Sequence, residues 1–106
     1  MLQFKEGVRV RDLVPQMLLA IQVVEEEFAK FGLDTVITSA NDSQHKVGSK
    51  HFKGEALDFR TKHSGGMGKG LAAGIAKRLA HIGFDVIFEY AGAENEHLHV
   101  EWDPKD

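Results

Sequence analysis

Residues 97–102, HLHVEW, alternate strictly between polar and apolar side chains. Because successive side chains of a β-strand point to opposite faces of the sheet, this pattern predicts a strand with one polar and one apolar face. The polar face would carry His97, His99 and Glu101, and the apolar face would carry Leu98, Val100 and Trp102. A chain with such a strand is expected to cover one face of its sheet with helices and to leave the other face polar.

Two stretches are expected to supply the helices, because their apolar residues recur at helical spacing. The first covers residues 13–31, with Asp12 as the expected N-cap and Gly32 at the C-terminal end. The second covers residues 67–82. We expect the buried stripes to consist of Val14, Met17, Leu18, Ile21, Val24 and Phe28 in the first helix, and of Leu71, Ile75, Leu79 and Ile82 in the second.

Short β-branched or alternating runs predict further strands, and the first dozen residues predict a short strand or arm. The three runs are residues 35–40, 54–60 and 84–90. The polar turn AGAENE lies between the runs at residues 84–90 and 97–102 and predicts a hairpin formed by these two strands. The predicted fold class is therefore α+β, with a small antiparallel sheet, two helices packed on one face and the polar chemistry on the other. The length of 106 residues suits a single domain, residues 1–106.

Composition excludes several classes of function. The chain has no cysteine, which excludes disulfides, a cysteine nucleophile and thiolate metal ligands. Its net charge of −3 argues against a nucleic-acid-binding protein. No apolar run reaches the roughly 20 residues that span a bilayer, and the N-terminal residues lack the apolar segment of a secretory signal. The acidic run at residues 25–27 is expected to lie on a solvated helix face.

Histidine is frequent, with six residues of this type, and four of them fall in two short polar stretches. These four are His45, His51, His97 and His99. In a chain without cysteine, this composition is typical of a catalytic zinc site that has three nitrogen or oxygen ligands from the protein and one open position. Such a donor set also suits other first-row metals, so zinc is favoured among several metals.

The first polar stretch requires a bend in the chain if it is to hold a metal. His51 and Asp58 are seven residues apart, and an odd separation puts two side chains on opposite faces of a regular strand. Gly54 is expected to provide the bend that brings both toward one ion. Ala56 shares the face of Asp58 and is small enough to leave room there.

The string S-x-H-x-x-G-x-A-x-D at residues 49–58, followed by E-x-x-H at residues 96–99, resembles a family of zinc peptidases. The family comprises D-alanyl-D-alanine carboxypeptidases, dipeptidases and L-alanyl-D-glutamate endopeptidases. The first string is matched by Ser49, His51, Gly54, Ala56 and Asp58, and the second by Glu96 and His99. The signalling domain of Hedgehog proteins is similar in the same region, which spans roughly residues 35–102.

The resemblance implies a zinc-dependent metallopeptidase that cuts the stem peptide of bacterial peptidoglycan, as a D,D-carboxypeptidase or as an L-Ala-D-Glu endopeptidase. It implies that the zinc ligands are His51, Asp58 and His99. Glu96 would be the general base that accepts a proton from the attacking water. His97 or His45 would stabilise the negatively charged oxygen of the tetrahedral intermediate.

The general base stays open between three residues. Strand parity places His97, rather than Glu96, on the same face as His99. The Hedgehog-like pattern places an acid further back in the chain, near Glu94. The spacing of the E-x-x-H motif favours Glu96.

Two further hypotheses do not involve turnover. One is a zinc-stabilised binding module like the Hedgehog signalling domain, and the other is a structural component of a phage particle that keeps the fold. For the enzyme we expect a monomer, made without a signal peptide, that acts at the bacterial cell wall as a phage endolysin or a virion-borne enzyme. Outside that setting it would be cytoplasmic.

Overall fold

The computed structural model describes residues 1–8, 12–40 and 54–104. Its elements are strand β1 (Leu2–Phe4), helix α1 (Gln16–Ala29), strands β2 (Thr35–Ser39) and β3 (Ala56–Arg60), helix α2 (Gly68–Leu79), and strands β4 (Phe84–Glu89) and β5 (His97–Trp102). Single turns of 3-10 helix cover Lys62–Ser64 and Ala80–Ile82. The α+β class with two helices is confirmed. His45, Ser49 and His51 lie outside the described residues.

The strands form one sheet in the order β1-β2-β3-β5-β4. β2, β3, β5 and β4 pair in antiparallel fashion, and β4 and β5 form the predicted hairpin. The predicted antiparallel arrangement holds for these four strands, but the fifth strand, β1, runs parallel to β2. The physical reason is that α1 lies between these two strands and carries the chain back across the sheet, so the second strand starts again in the direction of the first.

Both helices pack on one face of the sheet, around a core shared with the strands. Leu98 and Val100 of β5 are fully buried, which confirms the predicted apolar face of this strand. Trp102 packs edge-on against Phe84, with ring centroids 5.0 Å apart. The remaining buried core residues include Met17, Val24, Phe28, Ile37, Leu57, Phe59, Leu71, Ile75 and Leu79. Each large side chain of this kind stabilises the fold by about 1.5–3 kcal/mol through burial.

The first helix differs from its prediction at the N-terminus and along its stripe. It begins at Gln16, and Pro15 rather than Asp12 occupies the N-cap position, without a side-chain cap. Asp12 has a positive φ of 54° and belongs to the turn before the helix. Leu18 was predicted to be buried but is 65% exposed. The buried line runs instead through Met17, Ala20, Val24 and Phe28, which are spaced by three or four residues, and Leu18 lies beside that line.

The second helix also ends earlier than its apolar periodicity suggests. α2 stops at Leu79, and the 3-10 turn that follows changes the direction of the chain. Ile82 was predicted to be buried but is therefore 39% exposed. The other three predicted members of the stripe are buried, namely Leu71, Ile75 and Leu79.

Glu27 is the exception within the acidic run that was expected to be solvated. Its side chain is 9% exposed and accepts hydrogen bonds from Lys30 (2.8 Å) and from Arg78 of α2 (3.0 Å). Gly74 leaves room for it, since a Cβ at that position would lie 2.9 Å from Glu27 Oε1. The hydrogen bond from Lys30 lowers the pKa of Glu27, burial raises it, and Arg78 lowers it further, so that the net shift is downward.

This ion pair between the helices predicts a specific acid sensitivity. The pKa of Glu27 is lower in the folded chain than in the unfolded chain, so its contribution to stability is present above the unfolded pKa and is lost as the pH falls through the folded pKa. The free energy of unfolding, measured with urea between about pH 7 and pH 3, should therefore fall less steeply with decreasing pH for Glu27→Gln than for the wild type. Glu25→Gln on the same helix is the matched control and should follow the wild type. Equal slopes for wild type and Glu27→Gln would contradict the prediction.

Candidate functional site

The candidate site lies on the sheet face opposite the helices, where β3 and β5 are neighbours. Asp58 is the direct cross-strand partner of His99, and Arg60 is the partner of His97. The pairing of β2 with β3 shifts register at Asp58, which lies opposite Ser39. Asp58 Oδ1 is 2.8 Å from His99 Nδ1. The structure thus brings together two of the three predicted metal ligands, and the third, His51, lies outside the described residues.

A bend at Gly54 leads into β3, as the sequence predicts. Gly54 has a φ of +70°, in the left-handed region that favours glycine. Its carbonyl oxygen accepts a hydrogen bond from the backbone N–H of Val14 at 2.9 Å. A Cβ at position 54 would overlap the carbonyl oxygen of Asp12. The start of β3, and with it the position of Asp58, is therefore set by close contact with the segment before α1.

The imidazole of His99 lies between two carboxylates. Nδ1 contacts Asp58, and Nε2 is 2.8 Å from Glu101 Oε1. Burial alone would lower the pKa of His99, but the hydrogen bonds with Asp58 and Glu101 outweigh it and raise the pKa to about 9. In the absence of a metal, the ring is therefore protonated at neutral pH and donates to both acids.

His97 lies on the same face, as strand parity predicts. Its Nε2 is 3.0 Å from Glu89 Oε1 and 3.7 Å from Asp58 Oδ2. Its Nδ1 is 2.8 Å from the carbonyl oxygen of Asn95, so this nitrogen donates to the backbone. This arrangement fixes the ring of His97 beside Asp58.

Glu96 precedes β5 and has hydrogen bonds to both carboxylate oxygens. Oε2 accepts from the hydroxyl of the buried Thr61 at 2.7 Å, and Oε1 accepts from the backbone N–H of Gly92 at 2.9 Å. These two bonds outweigh burial and lower the pKa of Glu96. The carboxylate is therefore ionised at neutral pH, and each of its oxygens already accepts one hydrogen bond.

Aspartate and histidine are ligand types that zinc takes, and Asp58 and His99 lie in contact on this face. The two contacting atoms are 2.8 Å apart, a little less than the roughly 3.3 Å between neighbouring ligand atoms on a tetrahedral zinc ion. Histidines that bind metals usually donate their second ring N–H to a carboxylate, and Glu101 occupies that position. Metal binding at neutral pH would displace the proton that His99 holds.

The structure also contains a cluster of three acidic side chains that the sequence patterns did not predict. The carboxylates of Asp85, Glu101 and Asp103 lie within 4.8 Å of one another, which could hold a metal ion within the described part of the chain. A cavity of about 380 Å³ adjoins Asp85 and Asp103. The signal for this cluster is the hairpin register, which pairs Asp85 with Glu101. A set of oxygens alone suits hard cations such as Ca²⁺ better than zinc.

A smaller cavity of about 200 Å³ opens next to His97. It is lined by Lys5, Thr38, Arg60 and Lys62 and by residues 94–97. The sequence reasoning did not identify Arg60, although it shares the strand face of Asp58 by parity. The cavity joins His97, which lies 3.7 Å from Asp58, to a group of cationic side chains.

Comparison with protein-family models, with curated proteins and with solved structures finds no match to this chain. None of the helices in the described residues is long and apolar enough to cross a membrane.

Proposed function

We propose that this protein is a zinc-dependent metallopeptidase that hydrolyses a peptide bond in the stem peptide of bacterial peptidoglycan. The observation that carries the proposal is the contact of Asp58 with His99 Nδ1 while Glu101 binds His99 Nε2. In this proposal Asp58 and His99 are a pair of metal ligands, and Glu101 is the outer carboxylate that binds the second ring nitrogen. The substrate class rests on the resemblance of residues 49–58 and 96–99 to the zinc peptidases of the cell wall.

In this proposal His51, Asp58 and His99 hold the zinc ion. When bound, the ion would polarise the scissile carbonyl and make a water molecule acidic enough to attack it near neutral pH. Glu101 keeps the ring of His99 in one orientation through Nε2. His97, held by Glu89 and the carbonyl of Asn95, is positioned beside Asp58 to donate a hydrogen bond to negative charge on the substrate.

The general base is proposed to be Glu96, with His97 as the alternative. The spacing of Glu96 and His99 matches the family motif, and its carboxylate is ionised at neutral pH. Its bonds to Thr61 and Gly92 hold it in place until substrate enters, and catalytic hydrogen bonds often form only in the complex with substrate. His97 Nε2 lies 3.7 Å from Asp58 Oδ2, but it also contacts Glu89 Oε1 at 3.0 Å and would have to give up that contact before it could accept a proton.

Mass spectrometry of purified peptidoglycan fragments tests the proposal. The expected result is that the protein with added zinc releases products and that a chelator abolishes them. Loss of one alanine from the stem would identify a carboxypeptidase, and cleavage after the first alanine would identify an endopeptidase. Intact, zinc-loaded protein that gives no product from any fragment would contradict the proposed enzyme.

Two conservative variants separate the candidate bases in the same assay. Glu96→Gln should lower kcat by about 100-fold or more while zinc content stays at the wild-type level, because a general base contributes about 10²- to 10⁴-fold. His97→Gln should lower it less if His97 only stabilises charge. The opposite ranking would identify His97 as the base. Loss of zinc in Glu96→Gln would assign Glu96 a structural role.

The hydrogen bonds that Glu96 already makes favour one alternative function, a zinc-binding module without turnover. Both carboxylate oxygens are bound to Thr61 and Gly92, as they would be in a residue that stabilises the loop before β5. In that case the protein would bind zinc and stem peptides, and the peptides would remain intact in the mass spectra.

A further inference from the structure

Arg60 is a cationic side chain that the fold positions but does not use. It is the last residue of β3, is partly buried, and lies two residues after Asp58 on the same strand face. Within the described residues its guanidinium has no hydrogen bond or ion pair, whereas Arg78 binds both Glu26 and Glu27. An arginine that is partly buried without a partner favours a ligand of opposite charge.

The surroundings of Arg60 leave positive charge in the cavity beside His97. Lys5, Arg60 and Lys62 line the cavity, and the ammonium of Lys62 donates to the carbonyl of Gly92 at 2.8 Å. The carboxylate of Glu96, which also lines the cavity, is bound by Thr61 and Gly92. Glu94 is exposed on the rim and forms no ion pair with Arg60 in the described structure. The cavity therefore suits an anionic group of the ligand.

The strand geometry limits where that anionic group lies in a substrate. Arg60 lies two positions after Asp58 on β3, which is about 7 Å along an extended strand. One to two residues of an extended peptide span the same distance. A peptide cut beside Asp58 and His99 would thus bring the residue next to the cleaved bond within reach of Arg60.

We propose that Arg60 binds a free α-carboxylate on the leaving-group side of the cleaved bond and so determines which bond is cut. This inference rests on the proposed function. A guanidinium recognises a carboxylate through two parallel N–H···O bonds, which gives both affinity and orientation. Stem peptides offer two such groups: the α-carboxylate of D-glutamate, which is linked onward through its γ-carboxyl group, and the C-terminal carboxylate of D-alanine.

Three synthetic peptides distinguish these two sources. They are L-Ala-γ-D-Glu-L-Lys-D-Ala-D-Ala, the same peptide amidated at the α-carboxylate of D-glutamate, and the same peptide amidated at its C-terminus. For the wild type, one of the two amides should have a kcat/KM about 10- to 100-fold below that of the unmodified peptide, as expected for a lost hydrogen-bonded charge pair. Arg60→Gln should have the same reduction in kcat/KM on the unmodified peptide, and no further reduction on the amide that the wild type cuts poorly.

Arg60→Lys should recover part of the rate, because it restores the charge without the planar pair of donors. Lys77→Gln removes an exposed cation from α2 on the helical side of the sheet and is the matched control, which should leave all three values unchanged. Thermal unfolding of each variant verifies that it is folded.

Calorimetric binding of the same peptides to the metal-free protein separates failure of this inference from failure of the proposed function. Even if the wild type cuts no peptide, it should bind the unmodified peptide more tightly than one of the amides. Loss of that preference in Arg60→Gln would then support the role of Arg60. Cleavage without such a preference would overturn the role of Arg60 and leave the peptidase standing. Absence of both binding and cleavage for all three peptides would overturn both.

Discussion

Replacing Asp58 with asparagine is expected to remove zinc binding and peptidase activity together. Asp58 Oδ1 contacts His99 Nδ1 at 2.8 Å, and in the proposed site the two side chains bind one ion. Asparagine keeps the shape of the side chain but removes the negative charge that attracts the cation. Since outer partners of metal ligands are worth about 10- to 100-fold in affinity, loss of a direct ligand should cost more than about 100-fold. Calorimetric titration with zinc near neutral pH measures this effect.

Two matched variants determine where the metal lies. Asp85→Asn disrupts the cluster of Asp85, Glu101 and Asp103 but leaves Asp58 and His99 in place, so its zinc affinity should match that of the wild type. Glu101→Gln weakens the outer contact with His99 and should cost about 10- to 100-fold. If Asp85→Asn loses the metal and Asp58→Asn keeps it, the ion binds in the acidic cluster, and a parallel titration with Ca²⁺ would show tighter binding than zinc.

Replacing Gly54 with alanine is expected to destabilise the fold by more than about 3 kcal/mol. A left-handed backbone costs a residue with a Cβ about 1–2 kcal/mol, and Gly54 has a φ of +70°. The added methyl group would also overlap the backbone carbonyl of Asp12, which cannot move aside as a flexible side chain would. For a domain of this size the melting temperature should fall by more than about 10 °C, as measured by thermal unfolding.

Gly70→Ala is the control for this prediction. Gly70 lies in α2, and a Cβ there would meet nothing within 4 Å. Alanine has a higher helix propensity than glycine, so this variant should be more stable than the wild type by up to about 1 kcal/mol. A Gly54→Ala variant as stable as Gly70→Ala would mean that the chain does not approach Asp12 at this bend.

The local parts of the fold were predictable because they depend on short-range periodicity. The strand at residues 97–102 was predicted with its observed bounds, since alternation of side chains over six residues leaves one choice of faces. The other strand of its hairpin was predicted one residue too long, at residues 84–90. The placement of His99 and His97 on the polar face follows from the same alternation. The bend at Gly54 was predicted from the need to redirect the chain, and its positive φ confirms it.

The long-range parts were not predictable from the same patterns. The parallel pairing of β1 with β2 depends on how α1 crosses the sheet, which helical periodicity does not specify. Glu27 is buried because Arg78 reaches it from the second helix, and the two residues are far apart in the chain. The group of Asp85, Glu101 and Asp103 likewise needs the register of a hairpin before its members meet.

The sequence by itself determined which residue types are available for chemistry, which strand faces they occupy and where the chain must bend, because these depend on neighbouring residues. Only the tertiary structure decided that Asp58 and His99 touch, that Glu96 is held by Thr61 and Gly92, and that Arg60 has no partner in the described residues. Those facts depend on strand register and side-chain packing between segments that are distant in the chain. The physical reason is that alternation along a strand fixes the face of the sheet on which a side chain lies. The pairing of whole strands then fixes which side chain lies beside it on that face.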